Sequence, residues 1–422
     1  MDKEFFFRPD YVEKFQCDGQ KCNSLCCKGW NIDIDEETYK NYSRLQPDAA
    51  AKDITSKIIF SEERNSKIVV MNEKNFCPFL TEDKLCIIQK TYGEKFLSVT
   101  CRTYPRNPVK IGNILEMSLC LTCPVAARLI LLREEPIAFE KSDVIPDFGR
   151  IMTCKVTASE NFSGLIVETQ KAAISILQER KLTVDERLAV LGFFLDKLDE
   201  LINAGRASEI SNLAEFYTSE KFISEQVPEI LSGIKFNPEE FIRFMRDNVL
   251  EILYDKKLKY HGTKNLFLDA VEDVLKIKSG NSISEVTEKY LSLNGERKKF
   301  VRYFAGIFEN YLVNEFFYNL YPFRLRGSSS IRKNFAVFVV NYKIIELFTF
   351  CVMMSMFKNV PGKNSFLTED NKTNVVLMIS NLTNSIDHNT EYDGTIETFF
   401  DDEEDTLKII STFLQTEREN LF

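Results

Sequence analysis

The chain has 422 residues, 44 % of them hydrophobic and 28 % charged, enough for two or three globular domains, each with its own core. Its net charge is −9, and the first 135 residues balance 20 basic against 20 acidic side chains, so the acidic excess lies beyond them. No stretch resembles the basic patch of a nucleic-acid binder, so no nucleic-acid partner is expected.

The opening residues, MDKEFFFRPDYVEKF, carry acidic side chains where an export signal has a basic and then a long apolar segment. A cytoplasmic location is therefore expected. In a reducing cytosol, cysteines serve metal or redox chemistry more readily than a disulfide framework.

Short elements are predicted first. NIDID (31–35) and KIVVM (67–71) read as strands, and EETYKNYSRL (36–45) has helical spacing with Asp35 as its N-cap. Cys77-Pro78 and Cys123-Pro124 fix turns directly after a cysteine, and VAARLILLREE (125–135) follows Pro124 as a helix. Residues 136–165, with Pro136, Pro146 and Gly149, read as a connection.

From 166 to 422 the pattern is helical. ETQKAAISILQERK, DERLAVLGFFLDKLDELINAG and NPEEFIRFMRDNVLEIL repeat apolar residues at one-turn spacing, with Asp185 and Asn237 placed as N-caps. RLRGSSSIR (324–332) is a polar turn between two long helices. The stretch 334–357 is long enough to span a bilayer, but Asn341, Lys343 and Glu346 interrupt it. A buried core helix is expected there, and no membrane insertion. The acidic run DDEED (401–405) reads as a solvated helix start. The fold class expected is α+β, mostly α: a cysteine-rich metal-binding domain (1–135), a connection (136–165) and a large helical domain (166–422).

Nine of the eleven cysteines lie between residues 17 and 123: Cys17, Cys22, Cys26, Cys27, Cys77, Cys86, Cys101, Cys120 and Cys123. A metal needs such clustering, because several thiolates must come within about 2.3 Å of one ion. All-thiolate ligation suits an iron–sulfur cluster or zinc. The two histidines, His261 and His388, are remote in sequence, which argues against a Cys2His2 site. Only Cys120 and Cys123 show the paired spacing of a zinc knuckle, and Cys26-Cys27 is awkward for one tetrahedral ion. Nine cysteines permit one centre or two. Arg102 and Arg106 flank Cys101 and would favour its thiolate. Cys154 and Cys351 read as core residues, and Trp30 as packing over the cysteine loop.

No Gly-x-Gly turn or βαβ alternation announces a Rossmann-type methyltransferase. Tyr303, Phe304, Tyr311, Phe317, Tyr318 and Tyr321 read as core rather than a lysine-binding cage. Asn310 and Asn314, one turn apart, fit either buried bridges or a surface.

The order C…C-x3-C-C-x-G-W, C-P-F-L…L-C-x-I, T-C-R-x-Y-P and S-L-x-L-x-C-P-x-A-A-R resembles the flagellin lysine-N-methylase family over residues 8–135. ENYLVNEFFYNLYP (309–322) is similar to that family's aromatic helix. The N-terminal part is also similar to zinc- or iron-chelating cysteine-cluster proteins. The resemblance implies methyl transfer from S-adenosylmethionine to flagellin lysines, dependent on an iron–sulfur centre of the 4Fe–4S type, with the nine cysteines as its motif. It does not identify the methyl-donor pocket or the base, for which His388, a carboxylate or a tyrosine remain open. The alternative is a non-enzymatic protein with structural zinc, whose helical domain binds a protein partner.

Overall fold

The computed structural model describes residues 4–18, 22, 25–28, 31–45, 54–144, 151–156, 160–251, 263–277, 280–324, 327–358, 366–387, 390–400 and 406–416. Trp30, His261, His388 and the acidic run 401–405, each given a reading above, lie outside the described residues. The chain divides into two compact units, one of residues 1–129 and 138–158, the other of 130–137 and 159–422.

The first unit contains two small sheets. The larger has five strands, β1 (Phe5–Pro9), β5 (Arg106–Ile111), β6 (Ile114–Leu119), β7 (Phe139–Ser142) and β8 (Cys154–Val156), in the order β7-β1-β6-β5-β8. β5 and β6 form a tight antiparallel hairpin in which Ile111 pairs with Ile114. Gly112 sits between them at φ 59°, the left-handed conformation that a two-residue hairpin turn requires. β1 runs parallel to β6, and Phe6, Phe7, Met117 and Leu119 are buried. Residues 136–165, expected only to connect, supply β7 and β8 and the start of a helix.

The smaller sheet joins β2 (Ile32–Ile34), β3 (Ile58–Ser61) and β4 (Ser66–Val69), antiparallel in the order β2-β4-β3. The two strands predicted from NIDID and KIVVM are β2 and β4. The helix Glu36–Arg44 follows β2, and the Asp35 carboxylate caps it by accepting from Thr38 N at 3.0 Å. Ile32, Ile34, Tyr42, Ile54, Ile58, Val69, Phe79 and Ile88 form the core under this sheet.

The second unit is helical throughout its described residues. Helix Ile331–Phe357 runs through it and is buried from Ile331 to Cys351 at most positions, including Phe338, Val339, Ile344 and Phe348. Helices Val184–Asn203, Thr263–Leu275, Glu369–Asp387, Thr390–Phe399 and Thr406–Phe413 pack around it. It is the one described helix long and apolar enough to cross a membrane, and 94 % of its most apolar stretch is buried inside the protein.

Lys343 and Glu346, the charges that interrupt this helix, are buried and paired. Lys343 Nζ donates to Asp185 Oδ1 at 2.7 Å, Asp185 Oδ2 at 2.8 Å and Glu346 Oε2 at 2.7 Å. Arg297 bonds Glu346 on its other side, and the backbone N–H of Gln415 donates to Asp185 at 2.8 Å. Burial pushes the Asp185 carboxyl up against the pull of Lys343. For Glu346 burial also opposes the charge, but Lys343 and Arg297 outweigh it and hold the carboxyl below its usual range.

Asp185 is therefore a core ion-pair partner and not the N-cap expected of it. The cap is Thr183, whose hydroxyl accepts from Glu186 N at 3.3 Å while the Glu186 carboxylate accepts from Thr183 N at 2.7 Å. Asn237 does cap its helix, Pro238–Phe244, which continues into a π-helical turn over Met245–Leu250. A second buried carboxylate, Glu309, accepts from Arg187 at 2.8 Å and from Arg180 at 2.8 Å. Asn334 donates to Pro322 O and Ser328 O, both at 2.8 Å, and so secures the serine-rich turn before the long helix.

Candidate metal centre

Cys26, Cys27, Cys77, Cys86 and Cys101 are placed by ordinary backbone devices. Leu25–Cys27 forms a short 3-10 turn. Cys77 N donates to Cys27 O at 2.7 Å, and Lys28 pairs with Phe76, so the loop holding Cys77 is laced onto that turn. Leu80 N donates to Cys77 O, and Leu80 pairs with Cys86, which closes the loop between the two cysteines. Cys101 lies in the helix Val99–Thr103, whose first turn is capped by Ser98 Oγ accepting from Cys101 N at 3.2 Å. Asp35 Oδ2 accepts from Val99 N at 3.1 Å, and Thr100 donates to Asp33 O at 3.1 Å, tying that helix to β2.

These devices make neighbours of thiols up to 75 residues apart in sequence. Cys26 and Cys27 sulfurs are 3.7 Å apart, close to the edge of about 3.8 Å that tetrahedral bonds of 2.3 Å would span. Cys26 and Cys27 share a hydrogen bond that either sulfur can donate, and the interactions of Cys27 with Cys26 and Cys77 raise its own pKa and lower both of theirs. A soft metal ion would take up the same sulfur lone pairs that these contacts use.

The other thiols are shifted mainly by burial. Burial raises Cys86, and pushes Cys101 up to about 12, with the charges of Cys86, Cys77 and Cys26 adding to the rise. Arg102 does not favour the Cys101 thiolate as expected from the sequence. Its guanidinium donates instead to the carbonyls of Glu94, Lys95 and Leu97, and Arg106 stacks over Phe15. Burial pushes Cys123 up to about 11, with Cys26 and Cys22 contributing. Cys17 is exposed as a residue, yet desolvation of its sulfur, then Cys26 and Cys22, lift it to about 11.

Cys120 follows the end of β6, with its N–H donating to Pro105 O at 2.8 Å. Its sulfur is 3.0 Å from Thr122 Oγ1, which is 3.0 Å from the Tyr104 hydroxyl. Tyr104 is held well above its usual pKa by burial and by Cys120 and Cys123. Tyr104 is the tyrosine of the T-C-R-x-Y-P motif, whereas Ser98 and Thr122 carry no signal in the sequence that would single them out.

The donor set is thus chemically suited to a soft metal or an iron–sulfur cluster. Among the described residues, no three Cys, His, Asp or Glu side chains meet tightly enough to cage a single ion.

Cys351 is buried in the long helix as expected, whereas Cys154, also read as a core residue, is exposed on β8. β8 is the outer strand of its sheet, so a short side chain there faces solvent. In the helical unit Phe304, Tyr311, Phe317 and Tyr321 are core, and Tyr303 is exposed with its hydroxyl donating to Glu369. Asn310 is buried and donates to Arg133 O at 3.0 Å. An open groove is lined by Ser328, Lys333, Glu397, Phe399 and Phe400, and Glu397 there accepts from Ser328 N at 3.2 Å.

A family model described as the FliB lysine N-methylase C-terminal domain matches residues 170–413, within the helical unit. A protein named Lysine-N-methylase from Salmonella choleraesuis (strain SC-B67) is 36 % identical over 140 residues, 32 % of this chain and 35 % of that protein. Its namesake in Salmonella typhimurium (strain LT2) is 36 % identical over 146 residues, again 35 % of that protein. The chain thus matches about a third of the length of these two curated relatives. The Flagellar biosynthetic protein FliU of Salmonella muenchen is 39 % identical over 127 residues, 29 % of this chain and 75 % of that protein. No solved structure matches the chain. With a family domain spanning more than half of its residues, the chain belongs to the FliB lysine N-methylase family.

Proposed function

We propose that the protein is a protein-lysine N-methyltransferase acting on flagellin in the cytoplasm. S-adenosylmethionine would be its methyl donor, and a thiolate-held iron–sulfur centre would sit in its first unit. The observation that carries this reading is the lysine N-methylase domain lying over residues 170–413. The relatives' names, lysine-N-methylase and flagellar biosynthetic protein, support the reaction and the kind of substrate. The neighbouring thiols of Cys26, Cys27 and Cys77 support the metal.

In the reaction the lysine nitrogen forms a bond to the methyl carbon as the carbon–sulfur bond of the sulfonium breaks, and the amine loses a proton. The nucleophile must be the neutral amine, so the site has to desolvate the lysine or offer a base near the working pH. The acidic excess beyond residue 135 suits the attraction of a lysine-bearing surface. When bound, an iron–sulfur cluster supplies one-electron chemistry. Cys26, Cys27 and Cys77, with Cys86 and Cys101 beside them, are the residues that would hold it.

Mass spectrometry of flagellin co-expressed with this protein tests the proposal. Lysines bearing one or more added methyl groups are the expected result, and flagellin identical to that from cells lacking the protein would overturn it.

A further inference from the structure

Among its described residues the first unit has four outer strands, and three of them are guarded against pairing with another chain. β7 carries exposed Glu140 and Lys141, and β8 carries exposed Lys155. β2 is covered by the helix Val99–Thr103, whose Thr100 hydroxyl donates to Asp33 O at 3.1 Å. Charge and cover are the ordinary means of blunting a sheet edge. β3 uses neither. Its residues Ile58–Ser61 include no charge and no proline, and Ile59 and Phe60 are each 51 % exposed. Val70, where the chain leaves β4, is a third exposed apolar residue beside them.

The backbone of β3 is open as well. Val70 N donates to Lys57 O at 3.2 Å, which fixes the phase of the antiparallel ladder between β3 and β4. Hydrogen-bonded pairs alternate along such a ladder, so Ile59 and Ser61 turn their backbone groups toward β4 while Ile58 and Phe60 turn theirs away. Among the described residues nothing bonds the outward N–H and C=O groups of Ile58 and Phe60. The edge therefore offers two donors and two acceptors, with Ile59 on one face of the sheet and Phe60 on the other.

β3 leads directly into Glu62 and Glu63, both exposed, whose carboxylates make no ion pair among the described residues. The cations that follow in the hairpin are already engaged, Arg64 by Asp33 at 2.9 Å and Lys67 by Glu36 at 2.6 Å. The uncompensated charge at this end of the strand is negative.

We propose that the outer edge of β3 docks an extended, lysine-bearing segment of the protein substrate as a fourth strand of the small sheet. The inference rests on the reading of the protein as a methyltransferase that acts on flagellin lysines. Main-chain hydrogen bonds to Ile58 and Phe60 hold the segment, Ile59 and Phe60 take its apolar side chains, and Glu62 and Glu63 favour a lysine near its end.

The test uses the full chain, with monomeric flagellin as the probe. Hydrogen exchange of the wild-type protein should slow over residues 58–61 at saturating flagellin, and exchange there unchanged by flagellin would overturn the proposal. F60P removes one outward N–H without removing a bond between β3 and β4, and should weaken flagellin binding about tenfold. E62K/E63K should weaken binding at low salt and much less at high salt. Affinity unchanged in an F60P protein that melts like the wild type would also overturn it. Residues 58–61 that exchange slowly without flagellin, in a chain that sediments as a dimer and becomes monomeric in F60P, would make the occupant a second copy and refute the proposal. Flagellin that is methylated while the exchange and the F60P affinity stay unchanged removes this inference alone. Flagellin that is never methylated removes the function on which it rests, and this inference with it.

Discussion

The two units of this protein solve the problem of stability by different means. The first is assembled from strands of three to six residues and short helices, with cysteines arriving from four segments. The second is built on helices as long as the 27-residue Ile331–Phe357, which buries aromatic and aliphatic side chains on all sides. Its most buried charges pair with one another: Lys343 with Asp185 and Glu346, and Arg297 with Glu346. The first unit instead crowds thiols together, with the Cys26 and Cys27 sulfurs 3.7 Å apart. A buried ion-pair cluster serves structure, whereas crowded thiols are the kind of donor set that a soft metal takes up.

The largest effect should come from the metal. Chelation should raise hydrogen exchange across β2, β4 and the Val99–Thr103 helix, because binding free energy there is folding free energy, on the order of 10 kcal/mol for structural metals. Helices Val184–Asn203 and Ile331–Phe357 should exchange as before. Equal loosening of both units would break the comparison.

Next in size is Lys343→Met, which leaves the Asp185 and Glu346 carboxylates buried beside one another. Removing one partner of a buried ion pair costs about 3–5 kcal/mol. Urea denaturation should show that loss with metal content unchanged.

Gly192→Ala should cost about 1–3 kcal/mol by overpacking. A Cβ at this position would lie 2.8 Å from the Phe335 ring and 2.8 Å from the Thr406 methyl, both buried in the helical core. A thermal melt unchanged by the substitution would show that this core yields more than its packing suggests.

The smallest effect sharpens the contrast through two caps. Thr183→Ala removes a capping box and should lower stability by about 1 kcal/mol without touching the metal. Asp35→Ala removes a cap and also the acceptor of Val99 N, so it should lower metal content as well. Metal analysis of the two variants side by side separates the roles.

Much of this architecture was legible because it follows from local rules. β2, β4, the Asp35 cap, the start of the helix Pro124–Leu131, which ends short of the predicted 135, and the buried long helix all rest on periodicity, capping and proline geometry. Asp185 was misread because Thr183, two residues earlier, offers an equally good cap, and only tertiary structure shows Lys343 opposite Asp185. The strands β7 and β8 were missed because proline and glycine around them mask short extended runs. Of the site, the cysteine types were visible, but their placement was not, since it depends on hydrogen bonds between segments up to 67 residues apart. Cys154 escaped because exposure on an outer strand has no sequence signature.

The central claim is that the first unit is organised by a thiolate-held metal centre, and one measurement addresses it most directly. The full chain, purified without oxygen, should be brown, absorb at about 400 nm and contain iron and sulfide in equal amounts, as an iron–sulfur protein does. A colourless protein with stoichiometric zinc, or one free of metal and still folded over residues 31–103, would contradict it.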